Sequence, residues 1–456
     1  MSQVLDRIDI AKAERLRVEG NELFRRGEYL AAVQKLTEAL DNNPTDTALH
    51  ANCAEISTAI SEYLDVSWDG EESAELKAAY TKARARRAAA SHVFLVHSAY
   101  EELRKAILTI EMPRLDKNAQ GEELRIVPLG VFHYFSNSIL TDKRVCGMRN
   151  WPTFPAQFRK QAELENRLFR GWVESGGPTS IKKEATERLE AEGWDSVRAA
   201  LDVTIRIWIF TAWYRGQQMG HFDLSRKIFM NALEVLEWGR NQWPDIPMED
   251  RGFIFERRFI RSVKMIFLET MQESVYRYGA TEFTHEELIQ LAEDIVNDVN
   301  SDTLPSDMLL LSLAYWLYPK GTALSVLGWT YLQKAVGSSP GDLQRTPSIR
   351  KASQYYLLAA KSFPEDDESH VRCLVKALEC MCATGTVPLK QTLSLCKTVR
   401  GAFDQAIEIW GAPPYGDTLR KLLDRVKEFE DKYCRLILEG KCTLDTISGR
   451  LPEARG

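Results

Sequence analysis

Apolar residues recur every three to four positions along two neighbouring stretches near the start of the chain. These stretches run from Arg15 to Arg26 and from Tyr29 to Leu40, and Gly27 separates them. The spacing predicts two amphipathic helices, and Asn43-Pro44 ends the second of them. Because a lone helical hairpin cannot bury its apolar faces, the pattern predicts that the same unit is repeated along the chain.

The same periodicity continues through the N-terminal part of the chain. It predicts further helices at Ala48–Ile60, Glu62–Lys77, Tyr80–Leu95 and Ala99–Ile110. The last of these ends at Met112-Pro113, because proline cannot continue a helix. We therefore assign residues 1–113 to an N-terminal domain of three helical hairpins.

The helical pattern weakens between residues 114 and 155 and then returns. Asp116-Lys117-Asn118, Gly121 and Trp151-Pro152 are typical of loops, so we expect a loop-rich linker over 114–155. Residues 156–456 are expected to form a second helical domain. No alternating run of β-branched residues predicts a sheet.

Local signals predict where some helices of the second domain begin or end. Thr284-His285-Glu286-Glu287 has the spacing of a capping box. Ser369 is expected to be the N-cap of a helix that begins near His370. The stretch from Thr418 to Leu438 is the last clear helix, and it ends at Gly440.

Small and large packing residues occupy fixed positions within the first hairpin. They are Gly20, Leu23, Phe24, Gly27, Tyr29, Ala32, Leu36, Ala39 and Pro44. This set resembles the tetratricopeptide (TPR) repeat, in which small residues let two helices approach and large residues fill the groove between them. Two later segments carry similar sets, namely Gly220, Phe222, Ser225, Phe229 and Ala232, and then Leu327-Gly328, Tyr331, Ala352, Tyr356, Ala359 and Pro364. The resemblance implies an all-α fold, with an N-terminal TPR helical-hairpin array followed by a larger, diverged TPR-like α-solenoid.

Five polar residues of the N-terminal domain lie off its apolar periodicity. Arg17 and Asn21 are four residues apart on the first helix, and Lys82 and Arg86 are four apart on the fifth, so each pair shares a helical face. Asn52 lies about 30 residues from both Asn21 and Lys82. That separation is close to the repeat of roughly 34 residues, and we therefore expect the five side chains to lie on successive inner helices.

This arrangement resembles the carboxylate-clamp TPR domains of co-chaperones, which bind the free carboxyl terminus of heat-shock chaperones. The resemblance implies that four residues hold the terminal carboxylate and that a fifth contacts an acidic side chain upstream. The four are Arg17, Asn21, Asn52 and Lys82, and the fifth is Arg86. The implied ligand is a short acidic tail such as Glu-Glu-Val-Asp. Cationic and amide donors suit a carboxylate, because charge assistance strengthens such hydrogen bonds.

Three features depart from the pattern of that family. Arg17 stands where the family usually has lysine, which keeps the charge but changes its geometry. Cys53 replaces an arginine that commonly follows the second asparagine. The stretch Asp65–Ser73 lacks the usual alanine pattern and has a glycine within the predicted helix, so we expect it to change the curvature of the groove.

Composition and charge exclude several other classes of protein. The chain has 456 residues, with 59 Lys and Arg against 65 Asp and Glu, so its net charge of −6 gives no general attraction to nucleic acid or anionic membranes. Residues 1–7 do not resemble a secretory signal, and the apolar stretch Val203–Trp213 is too short for a membrane span and contains an arginine. Eight cysteines without a paired CxxC motif suggest free thiols, and we expect a cytoplasmic protein.

The sequence leaves open some alternatives to the clamp. The charged residues could be solvated and the asparagines could serve as caps in a repeat that binds another protein. Lys82–Arg87 could form a nucleic-acid patch, although Arg84 lies near the opposite side of the helix from Lys82. Cys380 and Cys382, with Cys373 nearby, could suggest a metal site, but a CxC pair on a helix points its thiols about 200° apart.

The function that we expect is therefore that of a non-enzymatic adaptor. The sequence contains no phosphate-binding glycine-rich loop, no GxSxG and no HExxH motif, so neither a cofactor nor catalysis is expected. The N-terminal groove is expected to bind the acidic C-terminal peptide of a cytosolic heat-shock chaperone. The C-terminal helical region is expected to bind a second protein partner.

Overall fold

The chain divides into two compact units, Met1–Val93 and Phe94–Gly456. The boundary precedes Pro113, where the sequence predicts the end of the first domain. The computed structural model describes residues 10–25, 35, 38–39, 95–110, 114–117, 123–126, 129–146, 153–173, 176–303, 313–339, 342–411 and 415–452.

In the first unit the structure describes one helix, α1 (Ile10–Arg25), and part of a second helical segment. Ala13, Leu16 and Gly20 are buried on one face of α1, which is the amphipathic pattern that the sequence predicts. Residues 35, 38 and 39 are also helical, and Ala39 is buried. Gly20 and Ala39, two positions of the predicted repeat pattern, are therefore both buried.

Over the residues that the structure describes, the second unit is built almost entirely of helices. In chain order they are α2 (95–110), α3 (Val131–Asp142), α4 (Phe154–Leu168), α5 (Gly177–Glu192), α6 (Trp194–Trp213), α7 (Phe222–Gln242), α8 (Met248–Arg251), α9 (Arg257–Tyr278), α10 (His285–Asn300), α11 (Tyr318–Gly337), α12 (Arg345–Ser362), α13 (Glu368–Ala383), α14 (Leu389–Trp410) and α15 (Tyr415–Leu438). Short 3-10 turns lie at Lys143–Val145 and Phe253–Phe255, and π-helical turns lie at Tyr214–Gln218 and Leu313–Leu317.

Helices that follow one another along the chain pack against one another in space. From α9 onwards, each described helix contacts the next one as far as α15, and α5, α6 and α7 contact one another in the same way. Sequential packing of this kind characterises helical arrays, in which each hairpin buries its apolar face against its neighbours. The fold is all-α, as the sequence predicts.

Aromatic side chains form the core at the start of this unit. The Phe135 and Phe210 rings stack with their centroids 4.6 Å apart, and Phe154 meets Phe135 edge-on at 5.7 Å. All three residues are fully buried. They fix α3, α4 and α6 to one another, because aromatic contacts stabilise beyond the area that they bury.

Segment 114–155 differs from the loop-rich linker that the sequence predicts. Arg114–Lys117 and Glu123–Ile126 form an antiparallel two-stranded sheet, which the apolar pattern did not predict. The helix α3 follows within the same segment. Its buried residues Val131, Phe135 and Ile139 recur every four positions, which is a helical period. The turn residues on either side of this helix predict loops, but they do not exclude a helix between them. Residues 95–110 are also continuously helical, without the predicted break between Leu95 and Ala99.

Two glycines allow α11 and α12 to approach closely. A Cβ atom on Gly328 would lie 3.0 Å from the ring of Tyr356, and one on Gly321 would lie 2.8 Å from the ring of Phe363. The sequence predicts this helix pair from Leu327-Gly328 and Tyr356, and the structure confirms both helices and their contact.

Two predicted helix starts have different outcomes. Thr284 and Glu287 form the expected capping box at the start of α10. The prediction for Ser369 is wrong, because the N-cap of α13 is Asp367, whose carboxylate accepts a hydrogen bond of 2.7 Å from the Ser369 backbone N–H.

The segment 441–452, which we call the C-terminal strap, folds back onto α14. The carbonyl oxygens of Thr446 and Leu444 accept hydrogen bonds of 2.9 and 2.8 Å from the backbone N–H groups of Leu389 and Lys390. These are the first amides of α14, which have no partner within the helix. The strap thus caps α14 in place of a side chain.

Candidate carboxylate-binding site

Arg17 and Asn21 lie one helical turn apart on α1, as the sequence predicts. Both side chains are half-buried, and that of Arg17 is 27% exposed. The four-residue separation places them on the same side of the helix. The helix α1 therefore places Arg17 and Asn21 on one face, and their role in binding stays a prediction.

Arg17 already binds a carboxylate in this structure. Its Nε donates a hydrogen bond of 2.8 Å to Oε2 of Glu14, and its Nη2 donates to Oε1 of the same residue. The hydrogen bonds from Arg17 lower the pKa of Glu14. This two-point geometry is the one by which a guanidinium recognises a carboxylate.

A second ion pair connects α1 to the following helical segment. Lys35 Nζ lies 3.0 Å from Oε2 of Glu19, and hydrogen bonding to Glu19 raises the pKa of Lys35. Glu19 is therefore directed towards Lys35. Both side chains are exposed, so the pair adds little stability but helps to align the two segments.

The other three predicted binding residues, Asn52, Lys82 and Arg86, lie outside the residues that the structure describes. Their gathering around Arg17 and Asn21 stays a prediction.

Charged groups inside the second unit form sites that the sequence analysis did not single out. Arg206 of α6 is 1% exposed, and its Nη1 donates hydrogen bonds of 2.7 and 2.8 Å to Ser136 Oγ and Asn137 Oδ1 of α3. Its Nε donates to Asp202 at 2.8 Å. Burial favours the neutral form of Asp202, but Arg206 and His133 outweigh it and lower the pKa of that carboxyl group. The cluster locks α3 onto α6.

A second buried arginine, Arg261 of α9, connects three elements in the same way. Its Nη2 donates a hydrogen bond of 2.6 Å to Asp302, and its Nη1 donates one of 2.8 Å to the carbonyl oxygen of Tyr315. Its Nε also donates to Asp298 of α10. Because its described partners belong to the fold itself, we assign Arg261 a structural role.

The third cluster surrounds Arg144, in the 3-10 turn after α3. Its Nη2 donates hydrogen bonds of 2.7 Å to Asp142 and 3.0 Å to Asp367, and its guanidinium lies 4.2 Å from the centroid of the Trp410 ring. The hydroxyl of Tyr318 donates to Asp367, and burial and that carboxylate raise the pKa of Tyr318. The cluster connects the start of the unit to α11, α13 and α14.

The cysteines near residue 380 are buried thiols. Burial raises the pKa of Cys373 and Cys380 to about 12 and that of Cys382 to about 11. Metal binding requires the thiolate, which is disfavoured at neutral pH by these values. His370 directs Nδ1 at the carbonyl oxygen of Ala360, 2.7 Å away. Across the described part of the chain, no group of three or more ligating side chains is placed to hold a metal ion.

No model of a known protein family matches the chain. In the portion that the structure describes, none of the helices combines the length and apolar character that a membrane crossing requires.

Proposed function

We propose that the protein is an interaction adaptor that binds the acidic C-terminal tail of a heat-shock chaperone through its N-terminal helical repeats. The observation that supports this most directly is the geometry of α1, where Arg17 and Asn21 share one face and Arg17 forms a two-point bond to a carboxylate. The same donors would suit the carboxyl terminus of a peptide.

The remaining binding residues of the proposal are Asn52, Lys82 and Arg86. Asn52 and Lys82 would complete the donor set for the terminal carboxylate, and Arg86 would contact an acidic side chain upstream. We further propose a cytoplasmic location and no enzymatic activity or cofactor. The location is supported by the cysteines of the described residues, all of which are free thiols.

The test is a titration of the full-length chain with a peptide that ends in Glu-Glu-Val-Asp, compared with the same peptide carrying a C-terminal amide. We expect the acid form to bind at least about ten-fold more tightly, because hydrogen bonds to a charged group are the stronger ones. Lys82→Ala and Asn52→Ala should weaken binding of the acid form and leave the amide unaffected. Lys183→Ala, which removes an exposed lysine of α5, is the control and should change neither affinity. Equal binding of the two peptides would refute the clamp.

A second candidate function is a helical scaffold for a partner unrelated to chaperones. The observation that favours it is the exposure of large apolar side chains on the second unit, including Tyr276 at 73% and Leu438 at 87%. Such side chains provide contact area to a protein partner without any need for a chain terminus. This function predicts that blocking a peptide's carboxyl group changes nothing.

A further inference from the structure

The partner of Arg17 bears on how tightly the proposed site can bind. Glu14 occupies two donors of the Arg17 guanidinium, Nε and Nη2, and it is the same chemical group as the ligand's terminal carboxylate. A ligand that approaches Arg17 must replace Glu14 or bind next to its negative charge. Either route makes binding less favourable than it would be without Glu14.

We propose that Glu14 is an internal competitor for the carboxylate ligand of Arg17 and thereby limits the affinity of the site. This inference rests on the proposed function, since it assumes that Arg17 binds a carboxylate from another molecule. Glu14 would then lower the affinity of the site for the peptide, both by its negative charge and by its contact with Arg17.

The exposure of the pair explains why exchange is feasible. The Glu14 side chain is 51% exposed and that of Arg17 is 27% exposed, so water and salt weaken their attraction. An exposed ion pair of this kind can be replaced by a ligand, unlike the buried pair between Arg144 and Asp367. Because water and salt weaken the pair, we expect Glu14 to lower the affinity for the peptide by only a few-fold.

The same helix provides a matched control. Glu22 is exposed, and the structure shows no ion pair for it within the described residues, whereas Glu19 is paired with Lys35. Glu14→Gln and Glu22→Gln therefore change the net charge of α1 equally. They differ in whether the lost carboxylate contacts Arg17.

The experiment measures the dissociation constant of the free-acid Glu-Glu-Val-Asp peptide for the full-length chain and its variants. We expect Glu14→Gln to bind about three-fold more tightly than Glu22→Gln, the size typical of an exposed pair. In an Arg17→Met background, adding Glu14→Gln should change the affinity no more than adding Glu22→Gln. Circular dichroism of each variant confirms that the helices are intact.

The outcomes separate this inference from the proposed function. If the wild-type chain binds the acid and the amide peptides equally, the proposed function fails and the competitor role fails with it. If the acid is preferred but Glu14→Gln matches Glu22→Gln, or weakens binding, the competitor role alone is refuted. Weaker binding would show instead that Glu14 positions the guanidinium of Arg17. If Glu14→Gln still increases the affinity more than Glu22→Gln does in the Arg17→Met background, the effect does not depend on contact with Arg17, and the competitor role is refuted.

Discussion

Glu165 shows how a single buried carboxylate links two helices. Its side chain is almost fully buried on α4 and accepts hydrogen bonds of 2.8 Å from the backbone N–H of Val131 and from Gln161. Gly130, the N-cap of α3, has no side chain to do this, so Glu165 caps α3 from another helix. Burial raises the pKa of Glu165 in spite of these bonds.

This shift predicts a dependence of stability on pH. Because the folded-state pKa lies above the ordinary value of 4.5, the folded state binds the proton more tightly than the unfolded chain does. Its contribution to stability is therefore complete below that ordinary value and is lost as the pH rises through the folded-state pKa. Glu165→Gln keeps an acceptor for Val131 without the charge, so the free energy of unfolding of this variant should increase relative to that of the wild type as the pH rises above 4.5.

Urea unfolding at several pH values measures this difference. The control is Glu163→Gln on the same helix, which removes an exposed carboxylate and should follow the wild-type profile. Parallel pH profiles for wild type and Glu165→Gln would contradict the assignment.

Close helix packing makes some glycines of the helices irreplaceable and others dispensable. A Cβ atom on Gly239 of α7 would lie 2.2 Å from the buried ring of Phe255, whereas one on Gly401 of α14 would meet nothing within 4 Å. We expect Gly239→Ala to destabilise the fold by about 1–3 kcal/mol through overpacking. Gly401→Ala should stabilise it by about 0.5–1 kcal/mol, since alanine favours the helix. Thermal or urea unfolding of the two variants tests the contrast, and a shift of the same sign in both would contradict it.

The sequence predicts individual helices better than their ends. The sequence predicts the cap at Thr284 correctly, because its partner Glu287 lies three residues away, within the motif itself. The sequence does not single out Asp367 among its acidic neighbours, because the side chains that hold its carboxylate, Arg144 and Tyr318, are 223 and 49 residues away along the chain. The capping bond to Ser369 is local, but local patterns do not show the distant partners that also hold this carboxylate.

For the candidate site, too, the sequence predicts the features that depend on local spacing and not those that depend on distant residues. A helical period is enough to place Arg17 and Asn21 on one face, and Glu14 could have been recognised as a partner from its three-residue spacing. The gathering of Asn52, Lys82 and Arg86 around them requires the packing of several helices, which a period does not specify. Likewise, the four-residue spacing of Asp202 and Arg206 predicts their ion pair. The sequence does not predict the contact between Arg206 and Asn137, because these residues are 69 positions apart.

At the scale of the whole second unit, Arg144 is the residue on which distant elements converge. Arg144→Leu removes the guanidinium that pairs with the completely buried Asp367, and we expect a loss of about 3–5 kcal/mol in the free energy of unfolding. Arg104→Leu removes an exposed arginine whose pair with Glu101 is 3.3 Å long, and it should cost less than about 1 kcal/mol.

Tryptophan fluorescence during urea unfolding reports on this unit, since ten of the eleven tryptophans follow Val93 in the chain. Equal losses for Arg144→Leu and Arg104→Leu would show that the Arg144 cluster does not stabilise the unit.

The C-terminal strap also has a consequence for how the protein is made. The first amides of α14 receive their partners from Leu444 and Thr446, which a ribosome adds more than fifty residues later. During translation the first amides of α14 therefore lack these partners until the whole of α15 has been synthesised. The final hairpin can reach its native form only once the strap has been synthesised, and a chain that stops before residue 444 would leave the first amides of α14 without these partners.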